Sequence, residues 1–346
     1  MSRDQFEILD PTTFPGWDER ILCARNYSFF HSSAWTRVLC ESYGYRPSFL
    51  ALSRGGEFSL VIPMLEVESF LTGKRGVSLP FSDCCEPIRF QRSTGFLKLV
   101  GVARQRAEKS GWKHLDFRGG GDFPFRVPVH SRYVCHRLEL AEEKELLSGL
   151  HENTVRNLKR ARKSGVSTGV FNSIEAMRQY YGLHCITRKR QGAPPQPFTF
   201  FQKIYEHICS KGKGRIILAH LDGKAVAGGI FFHFGRKAMY KYGASDRSLG
   251  GPGANAAIMW EAIRLYASEG YSRFCFGRTD PENLGLRRFK LGFGCEESLL
   301  DYHRLMVSTN GFVAGGSKRR HHLSGLMRLM PICGLKAIGA AYRHFG

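Results

Sequence analysis

The sequence predicts a mixed α/β (α+β) protein built from two similar halves. Three observations predict it. The 346 residues suit about two domains of ordinary size. One order of elements (strand, strand, strand, helix, strand) occurs twice, with order and spacing agreeing across about 70 residues. Both helices of that order end on a glycine that is followed by an aromatic residue and a phenylalanine-bearing strand.

The first copy opens with the apolar run Phe49-Leu50-Ala51-Leu52, and the second with Ile217-Leu218-Ala219-His220. Polar turns follow at Gly55-Gly56 and at Asp222-Gly223-Lys224. The second strands read Leu60 to Leu65 and Val226 to Phe234. Further turns at Thr72-Gly73-Lys74 and Gly235-Arg236-Lys237 lead to third strands closing on Phe81-Ser82-Asp83 and Ala244-Ser245-Asp246. Apolar runs of this length between Gly and Asp turns read as hairpin-linked strands. Gly95 to Ser110 and Ala254 to Glu269 then read as helices, with Ile258, Ala262, Leu265 and Tyr266 at helical spacing. Gly111 and Gly270 terminate them. Trp112 or Tyr271 follows, and the last strands carry Phe117 and Phe276.

Between the copies, a basic helix is expected over Arg156 to Lys163, leading into Gly165. Helices over Ile174 to Arg190 and Thr199 to Lys211 flank the breaker Gly192-Ala193-Pro194-Pro195-Gln196-Pro197. The first domain is drawn over 1–135 and the second over 136–308. Residues 309–346 form a basic amphipathic tail, with no acid after Asp301. In it Lys318, Arg319, Arg320, Arg328, Lys336 and Arg343 interleave with leucines and isoleucines. The tail reads either as a pair of interfacial helices bent at Pro331 or as a helix packed on the body.

Hydrophobic residues make up 42% and charged residues 23%, which fits a folded chain with two cores and excludes a disordered one. The net charge of +21 favours polyanionic partners: nucleic acid, anionic lipid or a phosphate-bearing substrate. The ten cysteines are scattered, with no C-x-x-C pair and no zinc spacing, so no metal is expected. With no leader pattern at Met1 to Asp10 and no run long enough to span a bilayer, the chain reads as soluble and cytoplasmic.

Three elements are candidates for chemistry. The loop Tyr242 to Asn255 puts glycines between a strand and a helix. Arg247, Gly250, Gly251, Gly253 and Asn255 would there present backbone N–H groups and the helix dipole to a donor's phosphate or carboxylate. Alternatively, the glycines only serve a turn. The second element joins Gly277-Arg278-Thr279-Asp280 to Gly285-Leu286-Arg287-Arg288-Phe289-Lys290-Leu291-Gly292-Phe293-Gly294. Here a lysine can stabilise an oxyanion and Arg278 can bind the donor. The other reading is a solvated basic loop with Phe289 and Phe293 in the core. The third is Ser78-Leu79-Pro80-Phe81-Ser82-Asp83, in the place equivalent to the first loop. Ser82 and Asp83 either contact an acceptor or cap the helix that follows. There is no G-x-S-x-G elbow, no Walker A lysine and no H-E-x-x-H. Direct attack by a substrate amine on an activated ester suits such a chain better than covalent catalysis.

These elements, together with Val155 to Val166, Ala227-Gly228-Gly229 and Tyr242-Gly243-Ala244, resemble the FemAB-like branch of the GNAT superfamily, including exopolysaccharide-associated members. The likeness covers roughly residues 30 to 305 and is specific as a combination. It implies tandem duplicated GNAT-type acyltransferase domains with a central cleft. It also implies an N-acyltransferase of cell-envelope precursors, such as a peptidoglycan peptide or an exopolysaccharide sugar. The co-substrate would be aminoacyl-tRNA or acyl-CoA, with no permanently bound cofactor. By the same resemblance Lys290 stabilises the carbonyl oxygen in the transition state. Arg156, Lys159 and Arg160 would face a phosphate-bearing acceptor or donor, including tRNA. Asp246 or Tyr242 is placed to assist proton removal. CoA-binding members carry R-x-x-G-x-G or R-x-x-G-x-A, whereas Arg247 and Gly250 are followed here by Pro252, which removes a backbone donor. The competing expectation is a non-catalytic protein docking a polyanion or the inner face of the plasma membrane, with residues 318–346 as its contact.

Overall fold

The computed structural model describes residues 4–69, 72–90, 95–119, 127–316 and 324–341. They divide into two compact units. One holds residues 4–133 and 299–316, the other 134–298 and 324–341.

The first unit begins with β1 (Asp4–Leu9), α1 (Trp17–Leu22) and α2 (Ser33–Tyr43). Ser32 caps α2 by accepting from the Trp35 amide, and Gly44 ends it in the left-handed conformation. Strands β2 (Arg46–Pro47), β3 (Phe49–Arg54), β4 (Glu57–Ile62), β5 (Leu65–Ser69), β6 (Gly73–Val77) and β7 (Ile88–Arg89) follow, then α3 (Phe96–Lys109) and β8 (His114–Arg118). The expected strand over Leu60 to Leu65 is two strands. Pro63 has no amide hydrogen to continue a ladder, and the chain changes sheets there. Before the break, β4 pairs with β3 in the order β1-β3-β4-β7. Past it, β5 pairs with β6, which lies parallel to β8. The core sets Leu50, Leu52, Leu60 and Ile62 against one face of α3, where Phe96, Leu99, Val100, Ala103 and Ala107 recur at helical spacing.

The chain crosses to the second unit within β9 (Ser131–Glu139). There follow α4 (Glu143–Ser148), α5 (Glu152–Lys163), β10 (Ser167–Phe171), α6 (Ile174–Gln191) and α7 (Phe198–Ile204). The repeat then runs β11 (Gly214–Leu221), β12 (Lys224–Phe234), β13 (Lys237–Ser245), α8 (Ala254–Ser268) and β14 (Arg273–Thr279). The sheet order is β10-β11-β12-β13-β14-β9. Ile258, Met259, Ala262, Ile263 and Tyr266 of α8 bury against Ile217, Ala219 and Phe231 of the sheet, with Phe274 and Phe276. The basic stretch after β14, expected to be a loop, is α9 (Leu284–Leu291), capped by the Asn283 side chain.

The chain returns through β15 (Glu296–Met306). Its residues Tyr302 to Met306 pair with β8, and β16 (Gly311–Val313) pairs with its end. Residues 299–316 therefore group with the first unit, whereas the sequence draws the second domain to 308. The two tail helices, α10 (Ser324–Leu329) and α11 (Ile332–Ala341), meet at Pro331 and pack on α6. Lys318, Arg319, Arg320 and Arg343 lie outside the described residues. No disulfide joins the ten cysteines.

Candidate active site

The arrangement with most chemical potential is the divergence of β13 and β14. These strands run parallel and pair over three positions, from Lys237–Arg273 to Met239–Cys275. Beyond them β13 continues to Ser245 and β14 to Thr279 with no further pairing between the two. A wedge therefore opens at the C-terminal ends of the strands, where α/β folds gather ligands.

Lys290 reaches the β14 side of this wedge from the last turn of α9. It is 2% exposed, and its Nζ donates to the carbonyl oxygens of Gly277 at 3.0 Å and Arg278 at 3.3 Å. A buried ammonium needs such acceptors. Near this lysine, His136 and Glu297 were not evident from spacing. His136 of β9 is fully buried, with Nε2 2.9 Å from Glu297 Oε2. Burial, and then the charge of Lys290, push its basicity below the ordinary value, while Glu297 opposes them. Glu297 accepts a bidentate pair from Arg287 at 2.9 and 2.6 Å, which holds its carboxyl below the usual range. Thr279 is buried at the end of β14, and among the described residues its Oγ1 has no hydrogen-bond partner.

On the β13 side, Tyr242 is half-buried between the rings of Phe200, Phe201 and Phe232, with Lys241 Nζ 5.1 Å from its ring centroid. Ser245 ends the strand. Its amide donates to Thr187 Oγ1, its carbonyl accepts from Thr187 Oγ1 and Arg190, and its Oγ accepts from Asn255. Thr187 and Arg190 project from the last turns of α6 and complete the site; only the Arg188-Lys189-Arg190 run hinted at them. Asp246 Oδ1 accepts from the Ser248 amide at 2.9 Å and hydroxyl at 2.6 Å, an Asx turn that shapes the loop. Arg247 and Gly250 are exposed at its tip.

Gly253 has a different reason from the one expected. It has φ +79°, and a Cβ there would lie 2.1 Å from the Asn157 carbonyl oxygen and 3.1 Å from Ala161 Cβ. Helix α5 presses on the start of α8, so glycine is needed for backbone contact. Gly251 is similarly close to Val226. The Ala254 amide bonds to the Gly251 carbonyl. Beside this loop α5 exposes Arg156, Lys159, Arg160, Arg162 and Lys163.

Ser82 and Asp83 lie in the first unit and do not cap a helix: none begins there, and Gly95 is the N-cap of α3. Ser82 is fully buried, and its Oγ accepts from Trp35 Nε1 at 3.0 Å. Leu79 and Phe81 hold φ of 45° and 59°. Such left-handed backbone costs roughly 1–2 kcal/mol per residue. Arg118 offsets it by donating to the Leu79 and Ser82 carbonyls, and the Tyr302 hydroxyl by donating to Ser82 and Asp83.

Residues 151–291 match the acetyltransferase (GNAT) domain family. Among solved structures, FemX is similar at TM-score 0.65 and 14% identity, covering 86% of this chain and 96% of that one. A tandem GNAT protein from the clavulanic acid biosynthesis pathway is similar at TM-score 0.54 and 10% identity, with coverage of 88% and 99%. The C-terminal domain of a putative lysylphosphatidylglycerol synthetase from Agrobacterium fabrum is similar at TM-score 0.54 and 13% identity, covering 82% and 91%. No curated protein sequence matches.

Proposed function

For a chain whose residues 151–291 match the acetyltransferase (GNAT) domain family and which shares the fold of FemX, we propose an aminoacyltransferase that acylates an amine of a cell-envelope precursor. The observation that carries this reading is the wedge between β13 and β14 with Lys290 fixed at its edge. In the proposed reaction the acceptor amine attacks the carbonyl carbon of the donor ester. A C–N bond forms, the ester C–O bond breaks, and the amine proton ends on the leaving ribose hydroxyl. Lys290, oriented by two backbone carbonyls, stabilises the negative oxygen of the tetrahedral intermediate. Tyr242 or Asp246, at the opposite strand, relays the proton.

Aminoacyl-tRNA is favoured over acyl-CoA as donor by two features of the glycine loop. Pro252 lacks an amide hydrogen, and α5 covers the start of α8 at Gly253. The cations on α5 border the same loop and suit an RNA backbone. An acceptor bearing phosphate fits the same surplus of charge. The name of the lysylphosphatidylglycerol synthetase joins a lysyl group to an envelope lipid, which agrees with envelope chemistry on this fold.

The test is donor binding by the purified protein, with acyl-CoA, charged tRNA and uncharged tRNA at low and high salt. Preference for charged over uncharged tRNA is expected, and replacing Arg156, Lys159 and Arg160 by serine should weaken it about tenfold and flatten its salt dependence. Saturable acyl-CoA binding that survives high salt would make the protein a small-molecule acyltransferase. Equal, steeply salt-sensitive binding to every polyanion would instead mark a docking protein without this activity.

A further inference from the structure

Helices α10 and α11 are seated firmly on the second unit. A Cβ on Gly192, at the end of α6, would lie 2.3 Å from the Ser324 carbonyl oxygen, and one on Gly339 would lie 2.0 Å from that of Pro195. Backbone meets backbone at both ends of the pair. Leu335 is fully buried, and Lys336 Nζ stands 5.2 Å from the Tyr181 ring centroid.

This seating turns other apolar side chains outward. Leu329 is 82% exposed, the highest value of any large apolar side chain among the described residues, and Leu326 is 62% exposed. At i and i+3 they share one face of α10. Single exposed leucines are ordinary. These two stand together in a segment that has no acid after Asp301, and exposed Arg328 and Lys336 lie close in sequence. Nucleic acid would answer the cations and offer nothing to the leucines. An anionic bilayer answers both, through its headgroup charge and its acyl boundary. Among the described residues no helix is long and apolar enough to cross a membrane, so the contact is interfacial.

We propose that α10 and α11 dock this protein on an anionic lipid surface. Leu326 and Leu329 enter the acyl boundary, and Arg328 and Lys336 lie at the headgroups. The proposal does not depend on the acyl-transfer reading. The test is co-sedimentation of the full chain with phosphatidylcholine vesicles, with and without phosphatidylserine. Binding is expected only to the anionic vesicles and to weaken as salt rises. The double variant Leu326→Gln/Leu329→Gln should bind at least ~10-fold less, from lost leucine burial. Leu97→Gln, an exposed leucine of α3, should bind like the parent. Thermal unfolding of each variant checks that it is folded. Parental binding by the double variant, equal loss in Leu97→Gln, or equal binding to both vesicle types would overturn the proposal. So would a dimer that needs the two leucines in a protein that ignores vesicles.

Discussion

In the first unit the chain leaving β6 folds back on β8. The Ser78 amide bonds to the Asp116 carbonyl at 2.8 Å and the Cys85 amide to that of Arg118 at 2.7 Å, while Ser78 Oγ links the Arg118 amide to the Cys85 carbonyl. In the second unit β13 and β14 stop pairing after Met239 and Cys275, and the loop from Asp246 turns away to meet α5. The same order of strand, loop, helix and strand thus ends in a closed position in one unit and a wedge in the other. The difference lies in local bonding: backbone and Ser78 hydrogen bonds occupy in the first unit the position left unpaired in the second. Chemistry is accordingly expected in the second unit, with the strained loop of the first acting as a fixed scaffold.

The largest expected effect is on turnover. Lys290→Ala is expected to lower kcat by about 10²–10³, as for loss of one oxyanion donor. Lys290→Met, which retains bulk, should lose as much, and steady-state kinetics of both separates chemistry from packing. Unchanged turnover in both would move the active centre elsewhere. Next comes Gly253→Ala. The added Cβ meets backbone oxygen at a positive φ, where neither atom can yield cheaply. A loss of ~2–4 kcal/mol is expected in denaturant unfolding. A small loss would mean that α5 moves aside readily, and would reopen the loop to CoA.

Ser82→Ala probes the first unit. It leaves Trp35 Nε1 without its buried acceptor, so a stability loss of ~1–3 kcal/mol is expected with kcat unchanged. A fall in kcat at unaltered stability would give the first-unit loop a role in the reaction.

A fourth effect is a slope with pH. His184 of α6 is buried beside Gln196, and burial lowers its pKa from the ordinary 6.5 to about 3. Between these values the unfolded chain takes up a proton that the folded one refuses. Stability is therefore retained above about 6.5 and lost as pH falls toward about 3. The contribution is at most about 1.4 kcal/mol per pH unit. Unfolding midpoints of His184→Leu should show a shallower dependence on pH over that window.

Much of the fold was legible because the periodic segments were long. The helix over Ile174 to Arg190 and the strand over Val226 to Phe234 needed only spacing and glycine ends. The break at Pro63 was missed because apolar residues continue on both sides of it, and hydropathy does not register a change of sheet. In the site, Lys290 was reachable through its motif. Thr187 and His136 were not, because their meaning depends on partners distant in sequence, and Thr279 stood in its motif without a role. The glycines of the loop were visible, but their purpose was not. A glycine required by a phosphate and one required by a neighbouring helix look alike in one dimension.

Helix α6 works as a strut between two contacts. Its last turns hold Thr187 and Arg190 on Ser245, and the next residue beyond its end, Gly192, touches Ser324 of α10. One stiff strut thus bears on the wedge and on the tail pair at once. Thr187 and position 192 are separated by about one and a half helical turns. A bulky residue at position 192 would press on Ser324 next to the turn that holds Ser245.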